Sequence, residues 1–124
     1  MDFVELAARA RSVLNSRKLS YEGRAGSVAA ALLTEDGNVY LGVCIDITSG
    51  MGFCAEHSAI AAMVTAGENR IKKIVAVGQS EIMPPCGRWR EFIRQIHNDN
   101  IHTQVMVSDE TAVTIKDLLP HLCY

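Results

Sequence analysis

Cys54-Ala55-Glu56 and Pro85-Cys86-Gly87-Arg88-Trp89 are the two segments around which the rest of this sequence is organised. Each cysteine stands where a helix is predicted to begin. The helix after Cys54 continues through apolar residues and ends at Gly67, whereas the helix after Cys86 has one apolar stripe at i, i+3, i+4 and i+7. The residues that define these helices are Ala59, Ile60, Ala62, Met63 and Ala66 after Cys54, and Trp89, Phe92, Ile93 and Ile96 after Cys86.

The segment before Cys54 predicts a hairpin. Residues 27–33 and 39–47 are nearly continuous apolar runs, with Asp36-Gly37 between them. Because Asp-Gly is typical of tight hairpin turns, the two strands are predicted to be antiparallel neighbours. Residues 20–26 contain two glycines and no hydrophobic period, which predicts a loop.

The remaining segments continue an alternation of helices and strands. Asp2 and Glu5 occupy the capping positions of a helix predicted over residues 3–16. The other predicted elements are strands over residues 71–77 and 101–107, a fifth strand or turn over 111–114, and a last helical turn over 116–119.

This order of elements predicts an α/β fold. Helices that alternate with strands indicate a three-layer α-β-α domain, with one mixed five-stranded sheet between helices and right-handed crossovers. The chain has 124 residues, enough for one hydrophobic core but not for two. Residues 1–124 are therefore interpreted as a single domain.

Composition and charge exclude several classes of partner. The chain is 48% hydrophobic with a net charge of −2, so it lacks the basic surface expected for binding nucleic acid or an anionic membrane. Its apolar runs are too short to cross a bilayer, and its N-terminus lacks the basic start of a signal peptide. We therefore expect a cytoplasmic protein whose four cysteines are free, metal-bound or catalytic.

The two cysteines suggest a metal centre. Unpaired N–H groups and the helix dipole favour a thiolate at a helix start, and a thiolate is what zinc requires. Zinc sites that activate water for attack on the amino-bearing ring carbon of an aminopyrimidine or purine use a glutamate near one cysteine and a Pro-Cys-x-x-Cys segment, whose two cysteines face one side of the helix. Here Trp89 occupies the second position. Indole nitrogen has no lone pair for zinc, so these motifs offer two sulfur ligands where three are needed.

The chain resembles the small cytidine deaminases and the related blasticidin S deaminases. The resemblance rests on Cys54-Ala55-Glu56, on Cys86-Gly87-Arg88-x-Arg90-Glu91 after Pro85, on the apolar strand at residues 29–33 and on Leu118-Leu119-Pro120. It covers essentially the whole chain. It implies a zinc-dependent hydrolytic deaminase of a free cytosine nucleoside or analogue, assembled as a homotetramer. Cys54 and Cys86 would be zinc ligands, and Glu56 would pass a proton from the zinc-bound water to the ring and then to the leaving amine.

The metal side of the sequence departs from that family at Trp89, and we expect zinc to be weakly bound or absent unless another group substitutes. His57 is the nearest substitute in sequence. It follows Glu56 where many of the cytidine enzymes have an arginine that bonds the zinc cysteines, so a supporting role behind the ligands, or a place on the helix surface, is the favoured interpretation. Trp89 itself is also interpreted as a large member of the apolar stripe.

The residues expected to bind the substrate also differ from those of the family. The family positions that bind the ribose hydroxyl correspond to Cys44 and Asp46, and Ala55 is also expected to contact the substrate. Asp46 could accept a hydrogen bond from a hydroxyl group, whereas Cys44 is a poor polar partner. Cys44 is also interpreted as a small core-facing strand residue. A base-stacking phenylalanine of the family is replaced by Gly26. A different cytosine compound could therefore fit better than cytidine.

Two functional hypotheses follow. The first is a zinc-dependent deaminase that acts through Cys54, Cys86 and Glu56. The second is a zinc-impaired member of the same fold that serves as a ligand-binding or assembly subunit. The Cys-Ala-Glu triplet favours the first hypothesis, and Trp89 favours the second.

Overall fold

The protein is described by a computed structural model that covers residues 1–121, so Cys123 lies outside the described residues. Within these residues the structure has four α-helices and six strands. The helices are α1 (Phe3–Arg11), α2 (Ala55–Thr65), α3 (Gly87–Ile96) and α4 (Ile115–Leu118), and the strands are β1 (Arg17–Lys18), β2 (Arg24–Thr34), β3 (Val39–Asp46), β4 (Ile71–Val77), β5 (Gln104–Met106) and β6 (Ala112–Thr114).

Strand β2 is an interior strand of the sheet. It pairs antiparallel with β3 along one edge and with β4 along the other, so Ala30 lies opposite both Gly42 and Ala76. Strand β4 pairs parallel with β5, and β5 pairs antiparallel with β6. The predicted mixed sheet is therefore confirmed, and the short strand β1, which pairs with the first residues of β2, adds a sixth strand.

Both faces of the sheet are covered by helices. Ala29, Ala31 and Leu33 of β2 pack in a core with α1, whereas Ala30 and Leu32 pack in a second core with α2 and α3. Since successive strand residues point to opposite faces, a strand buried on both sides must be apolar throughout. This explains the continuous run of small apolar residues in β2 and confirms the three-layer arrangement. Within residues 1–121, no helix is both long and apolar enough to cross a membrane.

Helix α1 is shorter than the helix predicted over residues 3–16. It ends at Arg11, with Ser12 as its C-cap, instead of continuing to residue 16. The chain then turns back to β2, where the Asn15 N–H donates to the Gly26 carbonyl over 3.1 Å. Part of the predicted loop over residues 20–26 is also strand, because β2 begins at Arg24. The helical pattern of apolar residues therefore extends beyond the end of the helix, into residues that contact the sheet.

The predicted strand over residues 101–107 is only partly correct. Residues Asn98–His102 form a 3-10 turn, and β5 covers only Gln104–Met106. The side chain of Asn100 is 1% exposed and fixes this turn. It accepts a hydrogen bond from the Ile71 N–H and donates to the carbonyls of Asn69 and Ile93. A buried amide with these partners stabilises a turn against continuation of the strand.

Gly42 sets the distance between α2 and the sheet. A Cβ atom at this position would lie 2.3 Å from the backbone nitrogen of Ala59 and 2.7 Å from the Cβ of Ser58. Backbone atoms of a packed helix cannot yield cheaply to such a contact. Helix α2 therefore lies against β3 at a distance that only glycine permits.

We predict that Gly42→Ala lowers the free energy of unfolding by about 1–3 kcal/mol, because the added methyl group pushes α2 away from the sheet. Urea denaturation of the two proteins measures the change. Gly87→Ala is the matched control, since an added Cβ there meets no atom within 4 Å. Equal stability of Gly42→Ala and the parent protein would contradict this account of the helix position.

Candidate functional site

Two helix starts meet at one end of the sheet. Cys54 is the N-cap residue of α2 and Cys86 is the N-cap residue of α3, and neither side chain caps its own helix. Their sulfur atoms lie 3.7 Å apart. The predicted convergence of the two cysteines is thus present in the structure.

Cys54 is positioned by a backbone bridge to the end of β3. The Phe53 N–H donates to the Ile45 carbonyl over 2.9 Å, and the Ile45 N–H donates back over 3.0 Å. Gly52 passes so close to β3 that a Cβ would lie 2.2 Å from the Ile45 carbonyl oxygen. The segment before α2 is therefore held to the sheet immediately before Cys54.

Cys86 is positioned by the chain that follows β4. The Met83 N–H donates to the Ala76 carbonyl over 2.8 Å. Arg90 of α3 reaches back, and its Nε and Nη2 atoms donate to the Pro85 carbonyl over 3.1 and 2.9 Å. Two hydrogen bonds from one guanidinium give a well-defined orientation. Arg90 therefore fixes the turn that carries Cys86.

A cavity of about 440 Å³ opens beside the two thiols. This volume lies in the range of small-molecule sites. The walls come from the start of β2, the end of β3, the segment before α2 and the start of α3. Among the residues that line it are Ser27, Val28, Cys44, Asp46, Phe53, Cys54, Ala55, Glu56, Met83, Cys86, Arg88 and Trp89.

Glu56 is the buried carboxyl group of this cavity. It lies in the first turn of α2 and is 4% exposed. Burial raises the pKa of Glu56 to about 7, because a charged carboxylate loses hydration there. A carboxyl group with a pKa near neutrality can both donate and accept a proton at physiological pH. The position and burial of Glu56 are those expected of an acid/base group.

The thiol pair has the spacing of two zinc ligands. Two sulfur atoms bound to one tetrahedral zinc, each at about 2.3 Å, are about 3.8 Å apart, and the observed separation is 3.7 Å. Burial, and to a smaller extent the hydrogen bond with the Cys86 thiol, together raise the pKa of Cys54 to about 11. Without a cation beside it, Cys54 is therefore a neutral thiol.

Trp89 occupies the position at which the sequence predicts a third ligand. Its side chain is 2% exposed and packs in the core with α2 and the sheet. Its Nε1–H is buried and has no acceptor within residues 1–121. Over the same residues, no group of three His, Cys, Asp or Glu side chains could hold a metal ion. A catalytic zinc has three protein ligands, so the residues present do not fit one.

Cys44 and Asp46 line the same cavity, but their side chains are linked to each other. The Cys44 sulfur lies 3.4 Å from the Val28 N–H and 3.3 Å from the Ser27 hydroxyl. The Cys44 thiol donates to Oδ2 of Asp46 over 3.5 Å. Cys44 is thus a buried strand residue with polar partners of its own, whereas the exposed carboxylate of Asp46 can accept a further hydrogen bond.

His57 lies between two aromatic rings. Its ring centroid is 4.5 Å from that of Phe92 and 5.2 Å from that of Phe53. It does not complete a three-ligand group with the thiols within the part of the chain that the structure describes. Whether its ring supports the cysteines remains a prediction.

Phe53 is a cavity residue that was not predicted from the sequence, where the aromatic position of the family was matched to Gly26. Gly26 lines a different concavity. Phe53 contributes the aromatic wall of the cavity. The available signal was its position directly before Cys54-Ala55-Glu56, since a residue that enters a helix N-terminus lies beside whatever that terminus binds.

Comparison with known proteins places these features in a family. A family model described as "Cytidine and deoxycytidylate deaminase zinc-binding region" matches residues 5–105. A cytidine deaminase of Sporosarcina psychrophila is 30% identical over 97% of this chain and 90% of its own length.

Solved structures agree with this relationship. The crystal structure of cytidine deaminase from Mycobacterium tuberculosis is similar with a TM-score of 0.83 and 25% identity, covering 100% of this chain and 98% of that one. The cytidine deaminase from Burkholderia pseudomallei gives a TM-score of 0.77 and 25% identity, with 98% of both chains covered. In sequence and in fold, this chain belongs to the cytidine and deoxycytidylate deaminase family of hydrolytic enzymes.

Proposed function

We propose that this chain is a hydrolytic deaminase of a free cytosine nucleoside or a cytosine-containing analogue, and that its active site is the cavity around Glu56. The observation that carries this proposal is a carboxyl group, 4% exposed, in a cavity of about 440 Å³ beside Cys54 and Cys86. Relatives of similar sequence and fold are named cytidine deaminases. Assembly as a homotetramer, which the resemblance implies, is part of the proposal.

Glu56 would carry the protons of the reaction. Hydrolytic deamination forms a bond from a water oxygen to the ring carbon and breaks the bond to the amino group. One water proton goes to the ring nitrogen, and the amine must be protonated to leave as ammonia. Glu56 and Asp46 are the carboxyl groups of the described cavity lining, and Asp46 is exposed. Glu56 is therefore the better placed group to hold a proton between these steps.

The rest of the cavity would bind the nucleoside. Phe53 and Val28 supply apolar walls against which a pyrimidine ring can pack, and Ala55 is completely buried beside Glu56. Asp46 would accept a hydrogen bond from a sugar hydroxyl. The Cys44 sulfur is already hydrogen-bonded to the Ser27 hydroxyl and to Asp46, so Cys44 would shape the cavity and not bind the sugar.

Zinc is the cofactor that the family description names, and its usual contribution is to acidify a bound water. Cys54 and Cys86 would hold two of its positions. Because Trp89 cannot be a third ligand, we propose that zinc occupancy is low and that turnover is correspondingly weak.

The second candidate is a nucleoside-binding or assembly subunit without turnover. The observation that favours it is the burial of Trp89 at the third ligand position, 2% exposed and part of the core. Both candidates keep the nucleoside in the cavity. They differ in whether ammonia is released, and this difference makes them separable.

Our first functional prediction concerns Glu56→Gln. Loss of the proton carrier should lower ammonia release from cytidine, deoxycytidine or a cytosine analogue by about 100- to 10,000-fold, with nucleoside binding retained. Ammonia assays and calorimetric titration of the nucleoside measure the two quantities. Ammonia release from the parent protein that equals the Glu56→Gln background, together with nucleoside binding, would establish the second candidate instead.

A further prediction concerns Trp89. Trp89→Cys should raise both bound zinc and ammonia release, because it supplies the missing thiolate. Trp89→Ala is the matched control, since it removes the same core side chain without adding a ligand. Both changes should cost about 3–5 kcal/mol of stability, so thermal melting must show that each variant is folded under the assay conditions. A folded Trp89→Cys variant that binds no more zinc than Trp89→Ala would contradict our assignment of the metal position.

The burial of Glu56 also predicts a pH dependence of stability. The folded chain keeps this proton up to about pH 7, whereas an unfolded glutamate loses it near pH 4.5. The folded state binds more protons between these values, so this contribution is present below pH 4.5 and is lost as the pH rises through 7. Glu56→Gln should abolish that loss, a relative gain of roughly 3 kcal/mol above pH 7. Urea denaturation with a chelator present measures it, and the exposed Glu35→Gln should show no such gain.

A further inference from the structure

Cys54 and Cys86 are close enough to react with each other. Their sulfur atoms are 3.7 Å apart, and a disulfide requires about 2.05 Å. The sulfurs must therefore approach by about 1.7 Å. Neither cysteine side chain caps its own helix, so rotation about the side-chain torsions can supply this movement while the backbone of both segments stays in place.

We propose that Cys54 and Cys86 form a reversible intramolecular disulfide, which makes the floor of the cavity a modification site for thiol oxidants. In a complete zinc centre the metal would occupy both thiolates and keep them apart. Here Trp89 supplies no third ligand, and within residues 1–121 no three-ligand group exists to retain a metal. The inference depends on the thiol geometry and not on the identity of the nucleoside.

The other described cysteine is a poor competitor. Cys44 is buried in β3, and its sulfur is engaged by Ser27, by the Val28 N–H and by Asp46. Cys86 is exposed and Cys54 is half-buried, so an oxidant in solution reaches Cys86 first. We therefore expect Cys86 to react with the oxidant before Cys54 does.

Glutathione disulfide illustrates the chemistry. The Cys86 thiolate attacks one sulfur of glutathione disulfide, which breaks its S–S bond and releases one reduced glutathione. The Cys54 thiol then loses its proton to the solvent, attacks the Cys86 sulfur of the mixed disulfide and releases the second glutathione. The two protein thiols lose two electrons and two protons in total, and one glutathione disulfide becomes two reduced glutathione molecules.

The disulfide would change the cavity directly. It would join the starts of α2 and α3 beside Glu56, and it would remove the two thiolates that any metal needs. Reduction would restore both. The oxidised chain should therefore lack the residual zinc binding of the reduced chain.

The test uses the full chain, reduced, freed of metal with a chelator and then incubated with glutathione disulfide. Acid quenching, alkylation under denaturing conditions and mass spectrometry count the remaining thiols. Two of the four cysteines should become unreactive to alkylation, the intact mass should fall by about 2 Da, and one cross-linked peptide pair should contain Cys54 and Cys86. Reduction with excess dithiol should return all four.

Single variants separate this reaction from general oxidation. Cys44→Ser should still lose two thiols. In Cys54→Ser the reaction should stop at a glutathione adduct on Cys86. In Cys86→Ser neither the glutathione adduct nor the intramolecular disulfide should form at an appreciable rate. The proposal is overturned if the folded parent chain keeps four free thiols, or if the lost thiols map to another pair or to a link between chains. Neither result would alter ammonia release, so it would leave the proposed deamination standing.

Discussion

The contact between α2 and β3 at Gly42 is the constraint on which the site depends. Because no side chain separates the strand from the backbone of Ala59, the helix lies directly on the sheet. Its N-terminus then arrives beside the end of β3, where the bridge between Ile45 and Phe53 holds the preceding segment. The backbone positions of Cys54 and Glu56 are therefore fixed by the sheet. Cys86 lies beside Cys54 on a separate segment, the turn that Arg90 holds in place.

Trp89 brings two requirements of the same helix into conflict. Helix α3 needs apolar residues at i, i+3 and i+4 to cover the sheet, and Trp89 satisfies that need with a side chain that is 2% exposed. A metal centre at the start of the same helix needs a sulfur atom at this position. The indole favours the core, although its buried N–H, which has no acceptor among the residues that the structure describes, costs about 1–3 kcal/mol. The site thus combines a buried carboxyl group and a cavity beside two thiols, while residues 1–121 offer no set of three metal ligands.

Sequence patterns predicted much of the fold because the decisive signals were local. The Asp36-Gly37 turn and the apolar runs beside it identified the hairpin of β2 and β3, and the stripe of α3 identified that helix and the burial of Trp89. The same periodicity extended α1 too far, because the contact of Asn15 with Gly26 is made between distant segments. The turn at residues 98–102 depends on the partners of Asn100, which lie in two other parts of the chain, residues 69–71 and α3.

The site was predictable in its residue types but not in its contacts. Spacing and residue chemistry identified Cys54, Glu56 and Cys86, and the structure brings all three to one cavity. The linkage of Cys44 with Asp46, the stacking of His57 on Phe92 and the role of Phe53 as an aromatic wall depend on packing between elements. Side-chain geometry of this kind has no periodic signal in a sequence.

The most direct test of the central claim, that Trp89 leaves the metal site incomplete, is the zinc content of the purified full chain. It is determined by elemental mass spectrometry after a wash with a mild chelator. The account predicts well below one zinc per chain. One zinc per chain that survives the chelator would contradict it, because it would show that two thiols and a substitute ligand are enough to hold the metal beside Trp89.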